Sequence, residues 1–155
     1  MTMVRVVAIM AICLGVVGVA VGGVFIGQSI VKTDFLVKAM QQEEITLGIE
    51  SDKLAAGEVI DSASEAEIAG DTLREHRRGI APTYGELLGG ERYDPTNPQQ
   101  LTYAQALNLE NYLYLAVLGF GVTQIALGTG AFMIITGVAL VGTGLALYRV
   151  SRMQS

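Results

Sequence analysis

The side chains that could carry chemistry in this sequence are few. His76 is the only histidine and Cys13 the only cysteine. A metal or haem site needs several such ligands, so we interpret His76 as a solvated or salt-bridged side chain. Cys13 lies inside an apolar run, and a lone cysteine forms no intramolecular disulfide. We therefore expect no metal site and no cofactor.

The acidic pairs point to solubility and not to catalysis. Glu43 and Glu44 are adjacent, and Glu65 and Glu67 stand at the start of a predicted helix, where acids favour the helix dipole. No nucleophile-elbow, phosphate-loop or calcium-loop pattern is present in the sequence. Glu110, between Asn108 and Asn111, is the polar group of most interest, and a polar helix end at the lipid headgroups is its simplest interpretation. The sequence predicts a non-catalytic protein.

The elements that hold these residues are dominated by two apolar runs. Residues 6–31 and 111–148 carry no Asp, Glu, Lys or Arg, although 16 % of the chain is charged. The 155 residues are 51 % hydrophobic, with a mean hydropathy of +0.46. A bilayer helix needs about 20 apolar residues. We therefore expect an all-α membrane protein with two antiparallel transmembrane helices and a partly helical extracytoplasmic loop.

The charges lie almost entirely between the runs. Residues 32–110 contain seven basic and fifteen acidic residues, a net charge of −8. This excess of acid excludes a nucleic-acid binder. Arg5, Arg149 and Arg152 lie at the two ends, and basic residues near the ends of a span stay in the cytoplasm. Both termini are predicted to be cytoplasmic and the acidic loop extracytoplasmic.

Each apolar run has an alternative interpretation. The first could be a cleaved signal peptide, but its length favours a retained anchor, because signal cores span only about 7 to 15 residues. The second could break into a hairpin at Gly128-Thr129-Gly130. We favour one tilted helix, since two spans would be at the short limit for crossing. Thr102 and Gln105 have capping-box spacing, so this helix should start near Tyr103.

Both runs carry a stripe of small residues repeated every seven positions. Such stripes let backbones approach closely in a bilayer, where apolar burial does not drive association. The predicted packing interface contains Ala8, Ala11, Gly15, Gly18 and Gly22 in the first run and Thr123, Gly130, Gly137 and Gly144 in the second. Aligning Arg5 with Arg149 would set Gly15 near Ala139 and Gly22 near Phe132. Glycines outside the stripes, Gly23, Gly27, Gly121, Gly128 and Gly142, leave grooves for a further helix.

The region between the runs predicts further helices. The first helix should continue to about Gln42, because no breaker occurs before Gly48. Ser62 and Glu65 match a capping box and Gly79 follows Arg77 and Arg78, which together indicate a helix over residues 63–78. Thr83 and Glu86 indicate a shorter helical turn ending at residues 89–90. The predicted division is residues 1–31, transmembrane helix 1; 32–102, acidic loop; and 103–155, a long helix containing transmembrane helix 2 and a cytoplasmic tail.

The sequence also resembles a known family. Val59-Ile60-Asp61, Arg74-Glu75-His76, Thr83-Tyr84-Gly85-Glu86-Leu87 and Phe120-Gly121-Val122 are similar to segments of small two-span bacterial membrane proteins of unknown function. Members are sometimes labelled aromatic ring-opening dioxygenases, an activity that requires a histidine-rich metal site. The resemblance implies a two-span topology in a bacterial plasma membrane and transfers no catalytic residue.

The sequence therefore predicts an accessory or scaffold subunit that packs beside larger integral membrane proteins, in contact with membrane lipid. The alternative is self-association of copies of the chain into a ring or pore, using the same small-residue faces.

Overall fold

The computed structural model describes residues 3–46 and 57–153. Over these ranges the chain forms helices and loops and no β-strand. Four helices follow in order: α1 (Met3–Glu43), α2 (Ala63–Ile80), α3 (Tyr84–Leu88) and α4 (Pro98–Met153). An isolated bridge joins Thr46 to Val59. The all-α class is confirmed for these residues. Gly48, the expected helix breaker, lies outside them.

Helices α1 and α4 are both long and apolar enough to cross a membrane, with 41 and 56 residues. In the most apolar 18-residue segment of each helix, only 11 % of the residues are buried by the rest of the chain. Helix α4 is continuous through residues 128–130, so the single helix is confirmed and the hairpin is wrong. Its continuity is reasonable because glycine weakens a helix by only about 1 kcal/mol.

The end of α1 and the start of α4 each have a local cause. Helix α1 ends where Glu44 adopts a left-handed φ of 46°. Helix α4 begins at Pro98, and the expected start near Tyr103 is wrong. The Asn97 Oδ1 atom accepts hydrogen bonds from the backbone N–H groups of Gln99 and Gln100 at 3.0 and 3.4 Å. A proline is well suited to the first helical position after such a cap, because its missing N–H would have had no helical partner.

The shorter helices follow their capping signals. Ser62 and Glu65 form both halves of the capping box of α2. Thr83 caps α3, which ends at Gly89 with a φ of 58°. These caps satisfy free backbone N–H groups that would otherwise weaken short helices.

The chain divides into two compact units. The helix-pair unit contains Met1–Thr33 and Val122–Ser155, and the cap unit contains Asp34–Gly121. These boundaries differ from the predicted division at residues 31–32 and 102–103, because α1 and α4 both extend into the cap unit. The core of the cap unit combines residues of α1, α2 and α4 with one residue of the connecting segment: Met40, Ile60, Ala66, Ala69, Leu113 and Phe120.

Candidate packing interface and buried polar cluster

In the helix-pair unit, α1 and α4 touch through glycine backbones. A Cβ atom built on Gly15 would lie 2.5 Å from the carbonyl oxygen of Gly137, and one built on Gly137 would lie 2.6 Å from the carbonyl oxygen of Gly15. Gly22 and Gly130 stand in the same relation, at 2.6 and 2.7 Å. Real Cβ atoms do not approach so closely, so these four positions require glycine or a shift of one helix.

The close contacts recur every seven residues. A Cβ on Gly144 would lie 2.8 Å from the Ala8 carbonyl oxygen, which extends the series at one end. The buried residues along it are Ala8, Gly15, Gly22 and Ser29 on α1 and Thr123, Gly130, Gly137, Gly144 and Ser151 on α4. A repeat of seven keeps one face of a helix against its partner over many turns.

The structure separates two of the predicted interface residues from the others. Ala11 and Gly18 are only partly buried. A Cβ on Gly18 would lie 3.5 Å from the Met133 carbonyl oxygen, which is an ordinary van der Waals distance. The intermediate positions of the α1 stripe therefore lie beside the interface, and a small side chain fits there.

The register of contacts differs from the one obtained by aligning the arginines. Gly15 contacts Gly137, where Ala139 was expected, and Gly22 contacts Gly130, where Phe132 was expected. Phe132 is 68 % exposed. The two-residue difference has a steric cause, because at this separation a Cβ atom at position 15, 22, 130 or 137 would overlap the opposite backbone.

Polar side chains replace glycine at one end of the interface. The Ser29 hydroxyl donates to the carbonyl oxygen of Thr123 at 2.7 Å, and the Thr33 hydroxyl donates to the Thr123 hydroxyl at 3.0 Å. Thr143, on a flank of the stripe, instead donates to the Ala139 carbonyl of its own helix at 2.9 Å. Gln28 and Gln124, which lie inside the apolar runs, are both exposed.

In the cap unit, a buried ion pair joins α2 to α4. Arg77 Nε donates to Glu110 Oε2 at 2.7 Å and Arg77 Nη2 donates to Glu110 Oε1 at 3.3 Å. The side chains are 9 % and 7 % exposed. Arg77 Nη1 also donates to the Tyr103 hydroxyl, and the guanidinium carbon lies 4.8 Å from the centre of the Tyr103 ring. One fork-shaped cation thus engages a carboxylate and a phenol.

The electrostatics of this cluster favour the charged form of Arg77. Its hydrogen bond with Glu110 raises the pKa of the guanidinium, and burial, which lowers it, is the smaller effect. Arg77 therefore stays protonated at physiological pH, which suits it to holding two helices together and not to transferring a proton.

A second polar contact lies about two turns along α2. The Tyr114 hydroxyl donates to Asp71 Oδ1 at 2.6 Å, and Arg74 Nη2 donates to the same oxygen at 2.8 Å. The Tyr114 ring covers Gly70, where a Cβ would lie 3.2 Å from a ring carbon. Helix α2 is thus attached to α4 by two polar contacts and by a small residue under an aromatic ring.

From the sequence, Arg77 was expected near the end of a helix and Glu110 at the lipid headgroups, and their pairing was missed. The signal was available in the spacing of α2. Arg77 follows Ala66 and Gly70 at helical intervals on the buried face. An arginine on a buried face requires a charged partner, and Glu110 is the only acidic residue that the sequence places on α4.

The other candidate chemical groups are dispersed. His76 and Glu67 are exposed, as are Glu43 and Glu44, while Glu65 is used in the capping box. Among residues 3–46 and 57–153, no three His, Cys, Asp or Glu side chains are grouped to hold a metal ion. Cys13 is exposed on α1.

Comparison of the chain with protein-family models, curated proteins and solved structures finds no match. The resemblance to two-span bacterial membrane proteins is therefore neither supported nor excluded by these comparisons.

Proposed function

We propose that this chain is a non-catalytic membrane accessory subunit that packs beside larger integral membrane proteins. In this proposal α1 and α4 cross the plasma membrane of a bacterium as an antiparallel pair, with both termini in the cytoplasm and the cap unit outside. The buried polar groups of the cap unit are engaged in joining helices, which supports a structural role.

The observation that carries this proposal is the length of exposed apolar surface on α4. Large apolar side chains are exposed at intervals from Tyr112 to Val150. At 1.5 Å per residue this stretch is about 57 Å long, whereas the hydrocarbon core of a bilayer is about 30 Å thick. Tilting removes part of the difference, and the remainder needs a covering other than lipid.

The part of the exposed apolar surface of α4 that exceeds the thickness of the bilayer includes residues of the cap unit. Leu115 and Leu118 are 59 % and 62 % exposed. In the same unit, Leu36 of α1 packs against Gly119 of α4, where a Cβ atom built on Gly119 would lie 3.2 Å from a methyl carbon of Leu36. Exposed apolar patches on the surface of a folded unit are typical of a protein–protein contact.

The open glycine faces support a helical partner. A Cβ on Gly23, Gly27, Gly121, Gly128 or Gly142 would meet nothing within 4 Å. These are the same glycines that the sequence predicted to line grooves. Bare backbone on a lipid-facing surface lets a second helix approach closely, which is the main source of helix association in bilayers.

Affinity purification from gently solubilised native membranes tests this function. We expect mass spectrometry to find larger membrane proteins with the tagged chain after mild detergent and to lose them in harsh detergent. Gly128→Leu should deplete these partners without unfolding the chain, because the site is open in the folded state. Val21→Leu, on another face, is the matched control.

Two outcomes would contradict the proposal. Recovery of the chain only with copies of itself would favour the ring or pore. Recovery of the chain alone, after cross-linking in intact membranes, would leave the accessory role without a partner and reject it.

A further inference from the structure

The cap unit contains one apolar groove with a single charged group on its edge. The groove has a volume of about 380 Å³ and is lined by Leu36, Ala39, Met40, Glu43, Tyr112 and Ala116, among others. Its volume and its mainly apolar lining with one charged side chain match those of small-ligand sites in proteins. We propose that this groove binds an amphiphilic cation, a molecule with a short apolar chain and one positively charged end.

The apolar part of the groove is preformed by the core. Met40 is 9 % exposed and Leu113 is 2 % exposed, so the floor is fixed by packing in the cap unit. Methionine adapts its shape to different apolar ligands. Tyr112, which is 66 % exposed, adds an aromatic ring to the lining. Cations bind the faces of tyrosine rings.

The electrostatic part is the end of α1. Glu43 is the last residue of the helix, and the last turn contains no basic residue. The carbonyl groups at a helix C-terminus carry partial negative charge, so a carboxylate there is unfavourable without a cation. Glu44 adds a second exposed carboxylate next to it.

Among residues 3–46 and 57–153, Glu43 belongs to none of the ion pairs that join Lys38 to Asp34, Arg74 to Asp71 and Arg77 to Glu110. Lys38, the basic residue nearest in sequence, is held 2.7 Å from Asp34. The groove therefore offers apolar contact beside an exposed carboxylate at the negative end of a helix dipole, which selects a ligand with both features.

The test uses the full chain in phosphatidylcholine nanodiscs with ¹³C-labelled methionine methyl groups. The chain has six methionines, and Met40→Leu identifies the Met40 signal. Octyltrimethylammonium and octyl sulfate, which share a chain length and differ in charge, are titrated below micelle formation. Met10, 56 % exposed on α1, reports uptake of either compound by the bilayer.

We expect a saturable shift of the Met40 signal with octyltrimethylammonium and a much weaker one with octyl sulfate. Glu43→Gln should raise the apparent Kd for the cation about fivefold, the effect of one partly solvated charge contact. Glu67→Gln, an exposed carboxylate on α2, should leave it unchanged. Ala39→Leu should fill the groove and abolish the shift.

An equal response to the anion, or an unchanged Kd in Glu43→Gln, would overturn the proposal, because the groove would then take apolar chains regardless of charge. A Met40 signal that responds to neither compound would also overturn it.

Discussion

The glycines of α1 and α4 differ in what surrounds their Cα atoms. At Gly15, Gly22, Gly130 and Gly137 the backbone of the opposite helix occupies the place of a Cβ, whereas at Gly23 the space is empty. The same residue type thus has opposite effects. In the first group glycine permits contact, and in the second it weakens the helix by up to about 1 kcal/mol relative to alanine.

Alanine substitution should reveal this difference in sign. Gly137→Ala should lower the free energy of unfolding by roughly 1 to 3 kcal/mol, because the new methyl group forces the helices apart. Gly23→Ala should be neutral or stabilising, and Gly18→Ala should resemble it because its nearest contact is at 3.5 Å. Circular dichroism during thermal unfolding in nanodiscs measures all three. A uniform loss at the three positions would reject the interface.

At this scale the sequence identified the small residues of the stripes but could not rank them. Gly15 and Gly18 look alike in a pattern of period 3 and 4. Their difference arises from the exact separation and rotation of the two helices, which depend on every contact along them. The Ser29 to Thr123 bond was similarly hidden, because a hydroxyl can equally bond to its own helix.

Helix α2 is attached to α4 through polar side chains on its buried face. Arg77 contacts Glu110 and Tyr103, and Asp71 contacts Tyr114. A buried ion pair of this kind disfavours arrangements that separate Arg77 from Glu110, since each charge would then be buried without a partner.

Removing one partner of the pair should cost far more than removing both. Arg77→Met or Glu110→Leu should each destabilise the cap unit by about 3 to 5 kcal/mol, because the remaining charge is buried alone. The double variant should be much less destabilised than the sum. Limited proteolysis within residues 63–97 is measured for the unmodified chain, the two single variants and the double variant. The four rates together give the coupling free energy between the two side chains.

A matched control uses the exposed pair on α1. Asp34→Asn breaks the contact with Lys38, whose side chain is 67 % exposed, and should change stability by less than about 1 kcal/mol. A similar decrease in the free energy of unfolding for Asp34→Asn and Glu110→Leu would mean that the buried pair contributes no more to stability than the exposed one.

The ends of the helices were predicted well where a cap has a local signature. Ser62 with Glu65, and Thr83 before residues 84–88, give the starts of α2 and α3 as the structure has them. The start of α4 was missed because two signals compete. Thr102 matches a capping box, but its hydroxyl donates to the Pro98 carbonyl inside the helix, and Asn97 before a proline is the cap that forms.

For the whole molecule, the charge distribution decides the orientation that we propose. Arg5, Arg149 and Arg152 are the only charges outside residues 32–110, which carry a net charge of −8. Translocation of basic flanks is unfavourable, and long loops cross regardless of charge. Orientation is a property of the whole chain in its membrane, so neither a residue nor a helix determines it alone.

Single-cysteine labelling tests this topology, and Cys13→Ala provides the cysteine-free background. Glu67→Cys should react with a membrane-impermeant maleimide on spheroplasts. Met153→Cys, at a position that is 79 % exposed, should react only after permeabilisation. We expect nearly complete labelling of the first and less than about a tenth of the second, since a sealed bilayer blocks charged reagents. The reverse pattern would invert the proposed orientation.

The fixed interval between the glycine contacts limits how the gene can change in length. Contacts from Gly144 with Ala8 to Gly130 with Gly22 all pair residue numbers that add up to 152. One codon inserted between Gly15 and Gly22 would rotate every later side chain of α1 by about 100° and turn glycine away from glycine. Insertion or deletion of seven codons, or a multiple of seven, keeps the same face toward α4, because seven residues are close to two turns of helix. Changes of length within this part of α1 are therefore expected in steps of seven residues.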